Sequence, residues 1–197
     1  MHETSISREA SAVNAERSIR RIMVVGSCGT GKSTVARSIG KRLGLPVIHL
    51  DAEFWKPGWV EPARHDWRLK VAQLAARPAW VMDGQYSATW DLRVPFADAI
   101  VWLDLPRSVY LWRVLERTVL NYGRVRSDLA EGCPERFDWQ FLKWVWTYPT
   151  RSRPKVAAML ALEAHNRCVV ILQSASEVAI FLEQLPHSLG ATAGHLR

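Results

Sequence analysis

Short apolar runs alternate along this chain with stretches in which apolar residues return every third or fourth position. Ile22, Met23, Val24 and Val25 form a β-branched run that ends in a glycine-rich turn, the pattern of a strand buried on both faces. After the turn, Val35, Ile39 and Leu43 recur at helical spacing, and Gly44 and Pro46 supply the stop. The chain therefore begins as strand, loop, helix. Pro46 to Leu50 predicts a second strand. Trp67 to Arg77 predicts a second helix, with Trp67, Val71 and Leu74 on its apolar face.

Trp80 to Met82 and Ala99 to Leu103 read as the third and fourth strands, and Ser108 to Asn121 as a helix closed by Gly123. An irregular basic stretch containing Gly132 and Pro134 follows. Helical spacing returns over Asp138 to Trp146 and Lys155 to Ala164. A fifth strand, Cys168 to Leu172, and a closing helix, Ser176 to Gln184, complete the pattern. Strands alternating with helices predict a parallel sheet covered on both faces, a three-layer α/β/α fold. No internal repeat or low-complexity tract interrupts it.

Composition narrows the function classes. With 197 residues, 48% of them hydrophobic and 23% charged, the chain suits one globular domain, and no apolar run approaches the roughly 18 residues of a membrane span. The polar first 18 residues lack the apolar core of a secretory signal, so residues 1–20 read as a flexible leader and 186–197 as a flexible tail. Cys28, Cys133 and Cys168 have neither disulfide-framework nor zinc spacing, which predicts a reducing cytoplasm. The formal charge is +7, but ten Lys or Arg stand against five Asp or Glu between Arg107 and Lys155. The excess is local, and a polyphosphate ligand accounts for it as well as nucleic acid does.

The chemistry is written in Gly26, Ser27, Cys28, Gly29, Thr30, Gly31, Lys32, Ser33 and Thr34. This segment satisfies G-x-x-x-x-G-K-[ST] between a strand and a helix. Its glycines let successive backbone N–H groups point inward at phosphate, and the helix adds its positive dipole end. Lys32 reaches the β and γ phosphates, and Ser33 ligates Mg2+. ATP or another nucleoside triphosphate is the implied ligand. Mg2+ also needs a strand-end carboxylate, and Asp51, Asp83 and Asp104 all qualify by position. Cys28 fills a variable loop position.

His49 to Trp59, Asp83-Gly84-Gln85-Tyr86, Glu131 to Glu135, and Phe141 to Trp146 with Tyr148 and Pro149 follow the P-loop in order. With these blocks the chain resembles the adenylate-kinase-related family of DNA topology modulation proteins, over about Arg21 to Leu185. The resemblance implies a P-loop NTPase fold of the adenylate kinase type, with a five-stranded parallel sheet and a helical lid inserted at about residues 107–155. It implies that Asp83 acts on Mg2+ through water and that Asp51 lies where such enzymes meet the phosphate acceptor. It further implies that the lid supplies arginines.

Arg113 and Arg117, four residues apart on one helix face, and Arg151 and Arg153, at the far end of the lid, are the candidates. Solvated basic clusters are the alternative reading of both pairs. Trp55 and Trp59 flank a Lys-Pro-Gly turn where aromatic faces either stack an acceptor or simply pack. Arg93, just beyond Asp83, is placed to grip an anionic acceptor, and Arg64 is a weaker candidate. Trp139 and Trp146 share a helix face and are expected to be buried together. Gln173-Ser174-Ala175, after the fifth strand, is less basic than the family pattern, which leaves that turn without a base-recognition signal. The leading reading is a Mg2+-dependent kinase with an unnamed small acceptor; a nucleic-acid-associated ATPase is the alternative.

Overall fold

The computed structural model describes residues 19–185, so the predicted tail, and all but the last two positions of the predicted leader, lie outside the described residues. Those two positions already belong to the fold: Ile19 packs on the core and the Arg20 backbone N–H donates to Asp98 at 3.0 Å. Five strands, β1 (Arg21–Gly26), β2 (Val47–His49), β3 (Trp80–Asp83), β4 (Ala99–Leu103) and β5 (Cys168–Leu172), form one parallel sheet in the order β2-β3-β1-β4-β5. β1 runs through its middle, which brings the turn after β1 between the ends of β3 and β4.

Each central strand serves two cores because strand side chains alternate faces. Ile22, Val24, Val81, Ala99, Val101 and Leu103 face α1 (Lys32–Leu43) and the closing helix, where Val35, Ile39 and Phe181 complete the layer. Met23, Val25, Met82, Ile100 and Trp102 point the other way, onto Trp67, Val71 and Leu74 and, further along the chain, Val156 and Leu160. These are the three predicted layers.

The remaining helices are α2 (Leu50–Phe54), α3 (Arg64–Ala75), α4 (Trp90–Arg93), α5 (Arg107–Leu120), α6 (Trp139–Trp146), α7 (Tyr148–Arg151), α8 (Arg153–Glu163) and α9 (Ala175–Glu183). α3 begins three residues before its predicted start. α2 replaces the end of the predicted second strand, since β2 stops at His49. α6 starts where predicted, with Asp138 accepting from the Phe141 N–H as its cap. Among the described residues, no helix is long and apolar enough to cross a membrane.

One packing expectation is overturned. Trp139 and Trp146 do share a face of α6, but it is the outward one, 72% and 54% exposed. The inward face is Phe141, Leu142 and Val145, which meets Tyr110 and Val114 of α5 and Tyr148 of α7 in a small separate core. Arg107 lies 4.2 Å over the Trp146 ring, so part of that indole is covered by a cation instead of by core.

Candidate active site

β1 ends at Gly26 with φ 145°, and the chain then turns over the sheet edge into α1. Gly31, at φ 92°, caps α1 without a side-chain partner, so the dipole end of the helix opens into the turn. A Cβ on Gly31 would meet only Arg113 Nη1, at 3.9 Å. That is a cradle a phosphate can enter, and it fits ATP. Lys32 Nζ and the Thr30 hydroxyl both donate to the Ser27 carbonyl, at 2.7 and 2.8 Å, which holds the loop curled.

Gly29 sits at a position the motif leaves free, yet this fold requires glycine there. Its φ is 82°, and an added Cβ would lie 2.3 Å from the Tyr110 carbonyl oxygen and 2.8 Å from Val114 Cγ2. Gly29→Ala is therefore expected to destabilise the protein by about 1–3 kcal/mol through overpacking, before any strain from the positive φ. Thermal unfolding would register this as a lowered Tm. The change also pushes the loop off α5.

The three strand-end carboxylates part company in the structure. Asp83, 4% exposed, accepts from the Ser33 hydroxyl at 2.7 Å with one oxygen and pairs its other oxygen with His49 Nδ1. That hydrogen bond raises the His49 pKa, against a smaller lowering by burial. Asp104 instead faces Arg153, which grips both its oxygens at 2.8 and 2.7 Å, so it does not approach Ser33. Asp128, from the loop before α6, pairs with Arg126 at 3.1 Å. Burial raises the Asp128 pKa, but Arg126, Ser33, its own backbone N–H and His49 together outweigh it and leave a net lowering. Ser33 and Asp83 are hard oxygen groups that fit Mg2+ held partly by phosphate oxygens.

Asp51 lies in the first turn of α2, partly exposed, and accepts from the Tyr86 hydroxyl at 2.7 Å. Burial pushes its pKa above the usual carboxylate range; Lys32, Tyr86 and Arg126 pull back, and Asp83 adds to the rise. A carboxylate so placed is a better proton acceptor than one in water. Cys28 is the opposite case: burial raises its thiol pKa, so it carries little nucleophilic thiolate.

The predicted arginines divide. Arg113 reaches toward the Thr30 carbonyl of the P-loop at 3.5 Å. Arg117 is held at 3.1 Å by Glu135, and Arg151 stacks 4.4 Å over Trp144 while donating to that residue's carbonyl. Arg153 is spent on Asp104. Arg93 corrects its expectation: it is fully buried and directs its donors to Gly84, Gln85, Tyr86 and Thr89, beneath the cleft and not into it. Arg64 stays exposed at the start of α3.

Residues that sequence reasoning missed come from the lid loop. Glu135, 5% exposed, accepts from Arg117 and from the Thr118 hydroxyl at 3.3 Å and pairs with Arg126 at 3.6 Å. Arg126 in turn pairs with Asp128 at 3.1 Å. Glu135 closes the Glu131 to Glu135 block, and Arg126 and Asp128 gave no signal beyond charged residues at every second position from Arg124 to Asp128. Glu135→Ala leaves two arginines facing an emptied site and is expected to cost up to about 3 kcal/mol in urea unfolding. A midpoint unchanged from the parent would contradict a stabilising role for the Glu135 contacts with Arg117 and Arg126.

Two blocks distant in sequence also prove to be one structure. The Gly58 N–H donates to the Gly132 carbonyl at 2.9 Å, the Trp59 indole to the Pro134 carbonyl at 3.0 Å, and the Cys133 thiol to the Lys56 carbonyl at 3.2 Å. Trp59 adopts φ 63°, a strained setting for an aromatic residue that these bonds maintain. Trp55, partly buried, meets Phe54 at 4.9 Å and Trp59 at 5.3 Å between ring centroids. Residues 56–59 are thus fastened to residues 132–134.

Sheet order and the P-loop between β1 and α1 define a three-layer α/β/α P-loop NTPase fold. No protein-family model matches the chain, and no curated protein matches it. Among solved structures it is similar to a shikimate kinase from Acinetobacter baumannii in complex with shikimate, at TM-score 0.54 and 18% identity over 85% of this chain and 91% of the other. A gluconokinase from Sinorhizobium meliloti 1021 aligns at TM-score 0.52 and 21% identity, over 90% of this chain and 95% of the other. A sugar kinase from Janibacter sp. HTCC2649 aligns at 0.50 and 18%, over 90% and 99%. At these identities the likeness establishes the fold.

Proposed function

We propose that this chain is an ATP- and Mg2+-dependent phosphotransferase, related to the topology modulation proteins, that phosphorylates a hydroxyl group of a small acceptor. The observation that carries this reading is the separation of two carboxylates: Asp83 is bonded to Ser33, and Asp51 is bonded to Tyr86 within the field of Lys32. One serves the nucleotide side and the other the acceptor. When bound, Mg2+ neutralises phosphate charge, and Ser33 and Asp83 are the residues that would hold it.

Asp51 takes the acceptor hydroxyl proton as the acceptor oxygen bonds to the γ phosphorus and the bond to the β-phosphate oxygen breaks, releasing ADP. Lys32 and Arg113 face the charge that spreads over the moving group. A nucleotide acceptor is already anionic and would need free arginine clamps instead. Arg93, Arg117 and Arg126 are already engaged, whereas a carboxylate with a raised pKa stands ready. The reducing cytoplasm belongs to the same proposal, with Cys28, Cys133 and Cys168 all free thiols.

The test is transfer of labelled γ-phosphate to sugars, sugar acids, nucleosides and shikimate on one side and nucleoside monophosphates on the other. A labelled alcohol ester is expected. Labelled nucleoside diphosphates would overturn the hydroxyl acceptor, and inorganic phosphate alone would overturn the transferase.

A further inference from the structure

Behind Asp51 lies a polar arrangement that phosphoryl transfer does not itself require. Arg93 is fully buried, yet its Nη1 donates to the Gly84 carbonyl at 3.1 Å, its Nη2 to the Gln85 and Tyr86 carbonyls at 3.0 and 3.1 Å, and its Nε to the Thr89 hydroxyl at 3.2 Å. One guanidinium thereby holds three consecutive carbonyls. The Thr89 hydroxyl and the Trp90 indole hold the Tyr86 and Gln85 carbonyls a second time, each at 2.9 Å.

The turn so held leans on the segment that carries Asp51. Gly84, at φ 142°, approaches Leu50 so closely that an added Cβ would lie 2.8 Å from the Leu50 Cβ. Gln85 Oε1 accepts from the Gly26 N–H at 3.1 Å, which ties the same turn to the P-loop. The Tyr86 ring packs against Phe54 and Trp67, with centroids 5.0 and 5.2 Å away, and its hydroxyl donates to Asp51 Oδ1 at 2.7 Å.

We propose that Tyr86 is a positioning residue for Asp51: its phenol fixes Oδ1, leaves Oδ2 for the acceptor hydroxyl, and is itself aimed by Arg93 through the Gly84 to Tyr86 turn. This inference rests on the reading of Asp51 as the acceptor-side base. A buried cation is a costly way to fill space, and an apolar side chain would fill it at less cost in desolvation. Burial lowers the Arg93 pKa to about 9, which leaves it charged near neutral pH and able to bind all three carbonyls. The groups that act on Asp51 are Lys32 and Cys28 from the P-loop, Asp83 from β3, Tyr86 from the turn and Arg126 from the lid. Of these, Tyr86 is the one bonded to it.

The experiment is a 13C-carboxyl NMR titration of aspartate-labelled protein, with the Asp51 signal assigned by its loss in Asp51→Asn. Tyr86→Phe removes a bond that favours the ionised carboxylate, so the Asp51 midpoint is expected to rise by about one pH unit. Tm should stay within about 3 °C of the parent and ATP affinity within about twofold. Arg93→Met should shift the midpoint in the same direction, and adding it to Tyr86→Phe should give no further shift. Where Arg93→Met fails to fold, Tyr86→Phe decides alone. An Asp51 midpoint that stays in place or falls in Tyr86→Phe overturns the proposal. Wild-type transfer by Asp51→Asn would instead remove the base reading, and the titration would still tell whether Tyr86 holds the carboxylate.

Discussion

Asp51→Asn is expected to lower phosphoryl transfer by about 10²–10⁴-fold while leaving ATP affinity near that of the parent protein. The side chain stands on α2 and is not part of the P-loop, so its loss removes proton acceptance ahead of nucleotide binding. The pH profile gives the same prediction a sign. Transfer needs ionised Asp51, so activity falls as pH falls through its pKa, and burial places that acid limb above the ordinary carboxylate range. Asp51→Asn should lose the limb along with the rate. Stability should move the other way. The folded state holds the Asp51 proton more tightly than the unfolded chain does, so the stabilisation is full below the unfolded pKa and is lost as pH rises through the raised folded pKa. Above the folded pKa the ionised carboxylate therefore costs stability, and there the neutral amide is expected to unfold at the same or a higher temperature. A lowered Tm together with unchanged transfer would contradict both parts.

Lys32→Met is expected to lower transfer by about 10²–10³-fold and to weaken ATP binding as well, measured by calorimetric titration. Lys32 Nζ donates to the Ser27 carbonyl at 2.7 Å, so its ammonium is held at the P-loop where the phosphates would bind. Lys32 also lowers the Asp51 pKa, and its removal should move the acid limb of residual activity to higher pH. An acid limb that stays in place would mean the two halves of the cleft do not sense each other.

The sheet was legible because each central strand is apolar over its whole length and the segments between strands return to helical spacing. Ala99 to Leu103 falls on the observed β4 residue for residue. The P-loop was legible because its backbone geometry demands particular residues at fixed offsets. What periodicity could not convey is which side of a face meets the core: Trp139 and Trp146 are on one side of α6, but Val145 and Phe141 face inward. α2 is five residues long, too short for a helical period to appear. Arg93 was misplaced because its partners are backbone carbonyls, which carry no sequence signature. Glu135 and Arg126 sit in irregular backbone, where spacing says nothing about contact. Gly29 is required by α5, a constraint outside the motif.

The same reasoning explains why motif blocks far apart in sequence occur together. Trp55 to Trp59 and Glu131 to Glu135 bond to each other through backbone carbonyls and an indole, so each block is shaped to the other. Asp83 and Tyr86 bracket a turn whose carbonyls Arg93 collects, and the two ends of that turn serve different halves of the cleft. The P-loop, Asp83 and Asp51 are therefore parts of one framework around β1 and β3, and the proposed nucleotide and acceptor sites would share it.

The central claim is that the γ-phosphoryl group of ATP passes to a hydroxyl beside Asp51, and mass spectrometry tests it most directly. ATP carrying 18O in its γ-phosphoryl group, incubated with the protein and a deproteinised metabolite extract, should yield a labelled phosphate monoester of an alcohol. That product should be absent with Asp51→Asn and with Lys32→Met. Label confined to inorganic phosphate, or an ester formed equally well by Asp51→Asn, would contradict the account.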